Sequence, residues 1–276
     1  MTESNTPALW RNILPWPGPD AHKHQRGRLG VVSGPAFNTG AARLAARAGL
    51  RIGAGLVRIL CPPGAAPVIA PTVTAIMIDE FLSPEALGRL ADPLDAVVIG
   101  PAAGLEEETG YNLAALGRTG AALVVDADAL TLFKDRPKAL FACLDRDDVL
   151  TPHEGEFDRV FPNLLKHGRE TAAWEAARVA GAVVVLKGSQ TIIASPDGRL
   201  RINPNGTSWL ATAGSGDVLA GMIAGLIAQR MDSFDAACAA VWMHCDAAAR
   251  FGPGLIAEDL PELLPAVLRD LRPDAA

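Results

Sequence analysis

The sequence predicts an α/β fold: a central, mostly parallel sheet with helices on both faces and an antiparallel hairpin at one edge. Three observations carry this. From about Arg28 onward, short β-branched runs alternate with Ala- and Leu-rich helical stretches, the order that winds a parallel sheet. Runs such as 97–99 (VVI) and 183–185 (VVV) are apolar without alternation, as strands covered on both faces are. After Lys187 the rhythm changes. TIIAS (191–195) and RLRIN (199–203) are joined by Pro196, Asp197 and Gly198, which suit a tight turn between antiparallel strands.

Taken in order, residues 1–20 contain Pro15, Pro17, Gly18 and Pro19 and are expected to be an extended arm. The strand LGVVSG (29–34) precedes a helix in GAARLAARAGLRIG (40–53), and LVRILC (56–61) is the next strand. Further strands are expected in DAVVIG (95–100), AALVVDADAL (121–130), DDVLTPH (147–153) and AVVVLKGS (182–189). Helices follow at 216–229, 233–251 and 258–268, the last two opened by Ser233 and by the acidic pair Glu258 and Asp259. No repeat or low-complexity linker divides the chain, so 21–276 is expected to be a single domain.

Composition narrows the function. The 276 residues are 49% hydrophobic and 20% charged, enough apolar material for a sizeable core. With 25 basic against 31 acidic residues the net charge is −6, which argues against nucleic acid or an anionic membrane as partner. The longest apolar run, Val218 to Ala228, is shorter than the roughly 20 residues that cross a bilayer. Glu3 and Arg11 interrupt any secretory layout, so a cytoplasmic protein is expected. Cys61, Cys143, Cys238 and Cys245 are scattered without a CxxC pair and read as free thiols. His22 and His24 flank Lys23 on the Pro-rich arm, where a solvated surface competes with a metal site. His244 and Cys245 fall in an Ala-rich helix and read as packing.

In an open parallel sheet, ligands bind beyond the carboxyl ends of the strands. Here those positions carry PAFNTGAA, PAAGL, ADAL, TPHEGEF and SQT, so glycines, hydroxyls, a histidine and acids converge on one edge. Each loop alone is also an ordinary turn or cap. Together with AGSGD at a helix start they describe a site. Gly214 and Gly216 leave backbone N–H groups where the helix dipole is positive, a cradle for phosphate. Neither a P-loop nor a dinucleotide fingerprint is present.

In their order, HKHQRGRLGVVSG, VVIGPAAGL, VVDADAL, LTPHEGEF, VVLKGSQTII and NGTSWLATAGSGDVLAG resemble the ADP- or ATP-dependent NAD(P)H-hydrate dehydratases, a ribokinase-like family, from about His22 to Leu260. The resemblance implies repair of NADH or NADPH hydrated at ring carbon 6, by phosphorylating the C6 hydroxyl and eliminating phosphate. It makes Asp217 the catalytic acid–base residue and Gly214, Ser215 and Gly216 an anion hole. Lys187, Gly188, Ser189, Gln190 and Thr191, with Gly216, match nucleotide (AMP) contacts. Ala41, Gly104 and His153, with Asp217, match contacts to the hydrated dinucleotide, and Glu156 matches an acid that organises magnesium indirectly. Magnesium and ADP or ATP are the implied cofactor and co-substrate, NADHX and NADPHX the substrates. A separate epimerase is the expected functional partner, because no stretch here is long enough to be one. A homo-oligomer, with a tetramer as one form, is implied too. Asp126 and Asp128 also face the expected site, Asp128 with helix capping as its simpler role.

Ala102, Ala103 and Ala213 stand where that family commonly has Gly, Leu and Gly. Two other readings are compatible with the motifs: a ribokinase-like kinase acting on a hydroxymethylpyrimidine or thiazole alcohol, and an idle nucleotide-binding regulator in which Asp217 only caps a helix.

Overall fold

The computed structural model describes residues 2–272; residues 273–276 of the expected domain lie outside them. Strand β1 (Glu3–Ser4) is followed by two short 3-10 turns, and the first long pair is β2 (Arg28–Val32) and α1 (Gly40–Arg51). Next come β3 (Leu56–Cys61), α2 (Ala66–Ile69), β4 (Met77–Glu80), α3 (Pro84–Ala91), β5 (Ala96–Ile99) and α4 (Glu107–Leu116). The middle of the chain supplies β6 (Ala122–Val125), α5 (Asp128–Thr131), α6 (Pro137–Phe141), β7 (Val149–Leu150), α7 (Glu154–Val160) and α8 (Arg169–Ala180). The remainder is β8 (Val183–Leu186), β9 (Ile192–Ala194), β10 (Leu200–Ile202), α9 (Ser215–Ala228), α10 (Ser233–Phe251) and α11 (Asp259–Leu271).

The strands form one sheet in the order β1-β10-β9-β8-β7-β6-β5-β2-β3-β4. From β8 through β4 every pairing is parallel, whereas β8 with β9 and β9 with β10 are antiparallel. The turn at 195–199 closes that hairpin through Gly198 N–H to the Ser195 carbonyl (3.0 Å) and Ser195 N–H to the Arg199 carbonyl (2.9 Å).

The unbroken apolar strands have a simple explanation. Val31, Val98, Val124, Val149 and Val185 feed one core, and Val32, Val97, Val125, Leu150 and Leu186 feed the other. Side chains alternate between faces and both faces are covered, so neither position is polar. One core lies under α1, α9, α10 and α11, the other under α3, α4 and α8. Helix α9 is apolar all round because it is enclosed, and α1 lies along it with Gly221 against the Ala45 backbone.

Two sequence expectations shift. Strand β4 was not among the predicted strands, because its residues are half-exposed and MIDE carries two acids. The stretch expected as an extended arm folds back on the sheet: β1 pairs with β10, and Trp10, 1% exposed, enters the first core. An indole there removes a large apolar area from water, worth roughly 2–3 kcal/mol. Among the described residues no helix is long and apolar enough to cross a membrane. All four cysteines are free thiols.

Candidate active site

The chain runs outward from β2 to β3 and β4, then returns to place β5 on the other side of β2. This is a topological switch point, where the loops after β2 and β5 part and leave a crevice. Ala41 stands in the first turn of α1 and Gly104 in the loop after β5, so both expected dinucleotide contacts lie at this crevice. The Gly104 loop is pinned from below. Asp128 Oδ2 accepts from Gly104 N–H (2.9 Å), and the Thr109 hydroxyl donates to the Gly104 carbonyl (2.9 Å). Asp128 is therefore a clamp on this loop; it does not cap α5 as expected, since it is the first residue inside that helix and its N-cap, Ala127, receives no side-chain bond. Ala102, in the same loop, has φ +54, the left-handed region that favours glycine.

A second concavity opens beside the first. It encloses about 840 Å³ between Lys187, Gly188, Ser189 and Thr191 on one wall and residues 206–208, 210 and 211 on the other. Leu219, Val241, His244 and Cys245 form its apolar floor, and Ser215 and Gly216 its closed end. Five of the six residues expected to hold AMP line it, Gly216 included. Gln190 does not, and instead its carbonyl accepts from Arg169 Nη2 (2.9 Å). Arg169 also reaches the Leu186 carbonyl (3.3 Å) and pairs with Glu154, bracing the whole loop from outside the cleft.

Asp217 lies where the two concavities meet, at the start of α9. Gly214 supplies the entry: its φ is +88, and a Cβ there would stand 2.7 Å from Leu44 Cδ1 and 2.9 Å from Ala257 Cβ. Only a residue without a side chain turns the chain into the helix at this point. The N–H groups of Gly214 and Gly216 have no protein acceptor among the described residues, whereas Ser215 N–H already donates weakly to the Thr212 carbonyl (3.4 Å). Two of the three expected anion-hole donors are thus free.

Charge at this spot is dense. Lys187 Nζ is 2.9 and 3.2 Å from the two carboxylate oxygens of Asp126, whose side chain is 3% exposed. The pair reaches the helix start, since a Cβ built on Gly216 would be 3.5 Å from Nζ and 3.7 Å from Asp126 Oδ2. Asp126 is held by a strained neighbour: Ala127 has φ +51 and ψ −118, and its N–H donates to Asp126 Oδ1 (2.9 Å). Burial raises the Asp217 pKa to about 6; the negative charge of Asp126 pushes the same way and Lys187 opposes it. The carboxylate is therefore a base poised near neutrality, stronger than a helix N-terminus alone would leave it.

His153 and Glu156 form a capping box at the start of α7. His153 Nδ1 accepts from the N–H groups of Gly155 (3.0 Å) and Glu156 (3.2 Å), and Glu156 Oε2 accepts from His153 N–H (2.9 Å). His153 pairs with Lys187 by a parallel bridge and lines the mouth of the 840 Å³ cleft. Among the described residues no group of three or more His, Cys, Asp or Glu side chains is placed to cage a metal, His22 and His24 included.

His244, read from the sequence as packing, lies on the cleft floor. Burial lowers its pKa to about 4, so the ring is neutral, and its Nε2 is buried without a hydrogen-bond partner. Cys245 beside it is a thiol, its pKa raised to about 11 by burial. No periodic signal separates these two from core residues, because α10 is Ala-rich on every side.

Comparisons with known proteins bear on the family and the fold. A family model described as NAD(P)H-hydrate dehydratase matches residues 29–265. The bifunctional NAD(P)H-hydrate repair enzyme of Methanopyrus kandleri is 36% identical over 275 residues, covering 96% of this chain and 53% of its own. The chain thus spans about half the length of the curated relatives it matches. The ADP/ATP-dependent NAD(P)H-hydrate dehydratase of Bacillus subtilis, co-crystallised with ATP and Mg2+, superposes with a TM-score of 0.84 at 28% identity, over 98% of this chain and 99% of its own. A hydroxyethylthiazole kinase of Pyrococcus horikoshii shares the fold alone, with a TM-score of 0.66 at 18% identity over 90% and 92% of the two chains.

Proposed function

We propose, since this chain belongs to the NAD(P)H-hydrate dehydratase family, that it restores NADH and NADPH from their C6 hydrates at the expense of ADP or ATP, as a carbon–oxygen lyase. One observation carries the reading. Asp217 stands between a nucleotide-sized cleft and a switch-point crevice, beside two free N–H groups and the Lys187 ammonium.

The chemistry follows from leaving groups. Hydroxide leaves carbon poorly and phosphate leaves well. The nucleotide lies in the cleft with its terminal phosphoryl group at Gly214, Gly216 and Lys187, where N–H dipoles and a cation meet the developing charge. The hydrated nicotinamide enters from the crevice over Ala41 and Gly104. Asp217 accepts the C6 hydroxyl proton as the oxygen attacks phosphorus and the bond to the nucleotide breaks. The ring nitrogen's electron pair then expels phosphate, and loss of a C5 proton restores the double bond. Magnesium, when bound on the phosphates, neutralises their charge; Glu156, with one carboxylate oxygen outside the capping box, would hold it through water.

Hydration at C6 gives two epimers, so an epimerase working on the same pool is the functional partner we assign, and the chain itself works as a homo-oligomer in the cytoplasm. The test is direct. Chemically hydrated NADH or NADPH, magnesium and ADP or ATP are mixed with the purified protein, and recovery of the reduced-nicotinamide absorbance is expected. No recovery with either nucleotide overturns the proposal.

A further inference from the structure

The cleft wall at residues 203–211 is held by a chain of buried amides that begins in the N-terminal strap. Asn5, fully buried, uses its whole side chain: Nδ2 donates to Asn203 Oδ1 (3.0 Å) and to the Cys238 carbonyl (2.7 Å), and Oδ1 accepts from Trp10 Nε1 (3.0 Å). Asn203, 1% exposed, passes the chain on. Its Nδ2 donates to Asn205 Oδ1 (2.7 Å) and reaches the Cys245 sulfur (3.5 Å), and its backbone N–H donates to the Thr191 carbonyl (2.9 Å). Asn205 Nδ2 ends the chain on the Trp242 carbonyl (3.0 Å). Just beyond, Gly206 runs so close to the opposite wall that a Cβ on it would stand 2.3 Å from the Ser189 carbonyl oxygen. Asn203 therefore joins both walls of the cleft to each other, to the floor helix α10 and to the strap.

We propose that Asn5 and Asn203 are positioning residues for the nucleotide, setting the spacing of the two cleft walls from a strap that never touches the ligand. This rests on reading the cleft as the nucleotide site. The direction of the chain makes it sensitive. Asn203 must present Oδ1 to Asn5 because its Nδ2 is committed to Asn205. Asn5→Asp sets two buried acceptors against each other, and Asn5→Ala leaves Asn203 Oδ1 and Trp10 Nε1 without a partner, whereas the Cys238 carbonyl keeps its bond within α10. Either way Asn203 relieves itself by turning, releasing Asn205 and the wall. The loops after β2 and β5 take no bond from this chain, so the crevice half of the site is untouched.

The experiment is ATP binding by calorimetry to the 276-residue chain, with steady-state kinetics beside it. Asn5→Asp and Asn5→Ala are expected to weaken ATP by about tenfold and to raise the nucleotide KM, leaving the hydrated-cofactor KM in place. Leu87→Ala, in the other core, is the control that lowers the melting temperature without moving ATP affinity. Asn5→Ala and Asn205→Ala combined should cost no more than the larger single loss, as members of one network do. Asn5 variants that melt lower yet bind ATP like the wild type overturn the inference, and so does an additive pair. If the Asn5 variants do not fold, Trp10→Phe removes a single bond of the chain; a weakened ATP affinity then supports the inference and an unchanged one overturns it. A wild type that binds no ATP overturns the nucleotide reading itself, which is a different result.

Discussion

Asp217→Asn is expected to stabilise the protein while sharply slowing turnover. Folding raises this carboxyl from 3.8 to about 6, chiefly by burial and then by the nearby Asp126 charge. The folded state therefore holds the proton more tightly than the unfolded chain does, and ionising Asp217 costs folding stability. Below pH 3.8 both states are protonated and the cost is absent. It grows as pH rises through the window from 3.8 to about 6 and is complete above it. At about 1.4 kcal/mol for each pH unit of difference, the full cost is about 3 kcal/mol. An amide of the same shape has no such cost. The variant should match the wild type in denaturant unfolding near pH 3.5 and gain up to about 3 kcal/mol at pH 7, roughly 6–10 °C in melting temperature. Asp148, whose pKa burial raises to about 7, depresses stability over a similar range in both proteins, so the difference between them isolates Asp217. Turnover should fall by about 10²–10⁴-fold with the base removed. A variant no more stable than the wild type at pH 7, or one that turns over as fast as the wild type, refutes the reasoning.

Other expectations follow from the same contacts. The wild-type kcat should lose activity as pH falls through about 6, where Asp217 takes up its proton, and Asp126→Asn should move that limb to lower pH by removing the second cause of the shift; a limb that stays in place excludes Asp126 as a tuning charge. Gly214→Ala forces a side chain into a left-handed backbone against Leu44 and Ala257 and should cost about 1–3 kcal/mol in chemical unfolding, with loss of phosphoryl transfer. Arg169→Ala frees the Lys187–Thr191 loop, so the nucleotide KM should rise while the hydrated-cofactor KM holds, read from initial rates at varied nucleotide.

Much of the architecture was legible in the chain because it rests on local, periodic chemistry. Strands enclosed on both faces are apolar throughout, and the Pro196-Asp197-Gly198 turn announces the hairpin. The edge strand β4 escaped because half-exposed residues carry no such pattern. That Lys187 would stand near Asp217, Gly214 and Gly216 was legible because strand ends in a parallel sheet converge whatever the intervening distance in sequence. His244, Arg169 and the Asn5–Asn203–Asn205 chain were not, since each acts on residues far away in sequence. Asn5 and Asn203 are 198 positions apart. The motif order likewise named the family, but not that His153 would line the mouth of the 840 Å³ cleft or that Lys187 would pair with Asp126 beside the start of α9.

The sequence by itself determined the α/β winding, the edge at which polar groups gather and the family whose motifs they match, because these depend on residue type and order. Tertiary structure alone decided that burial and Asp126 raise the proton affinity of Asp217, that Asp128 clamps a loop, and that an N-terminal strap braces one wall of the cleft. Proton affinity depends on burial and on neighbouring charges, and hydrogen bonds depend on angles and distances, and none of these exists until the chain has folded.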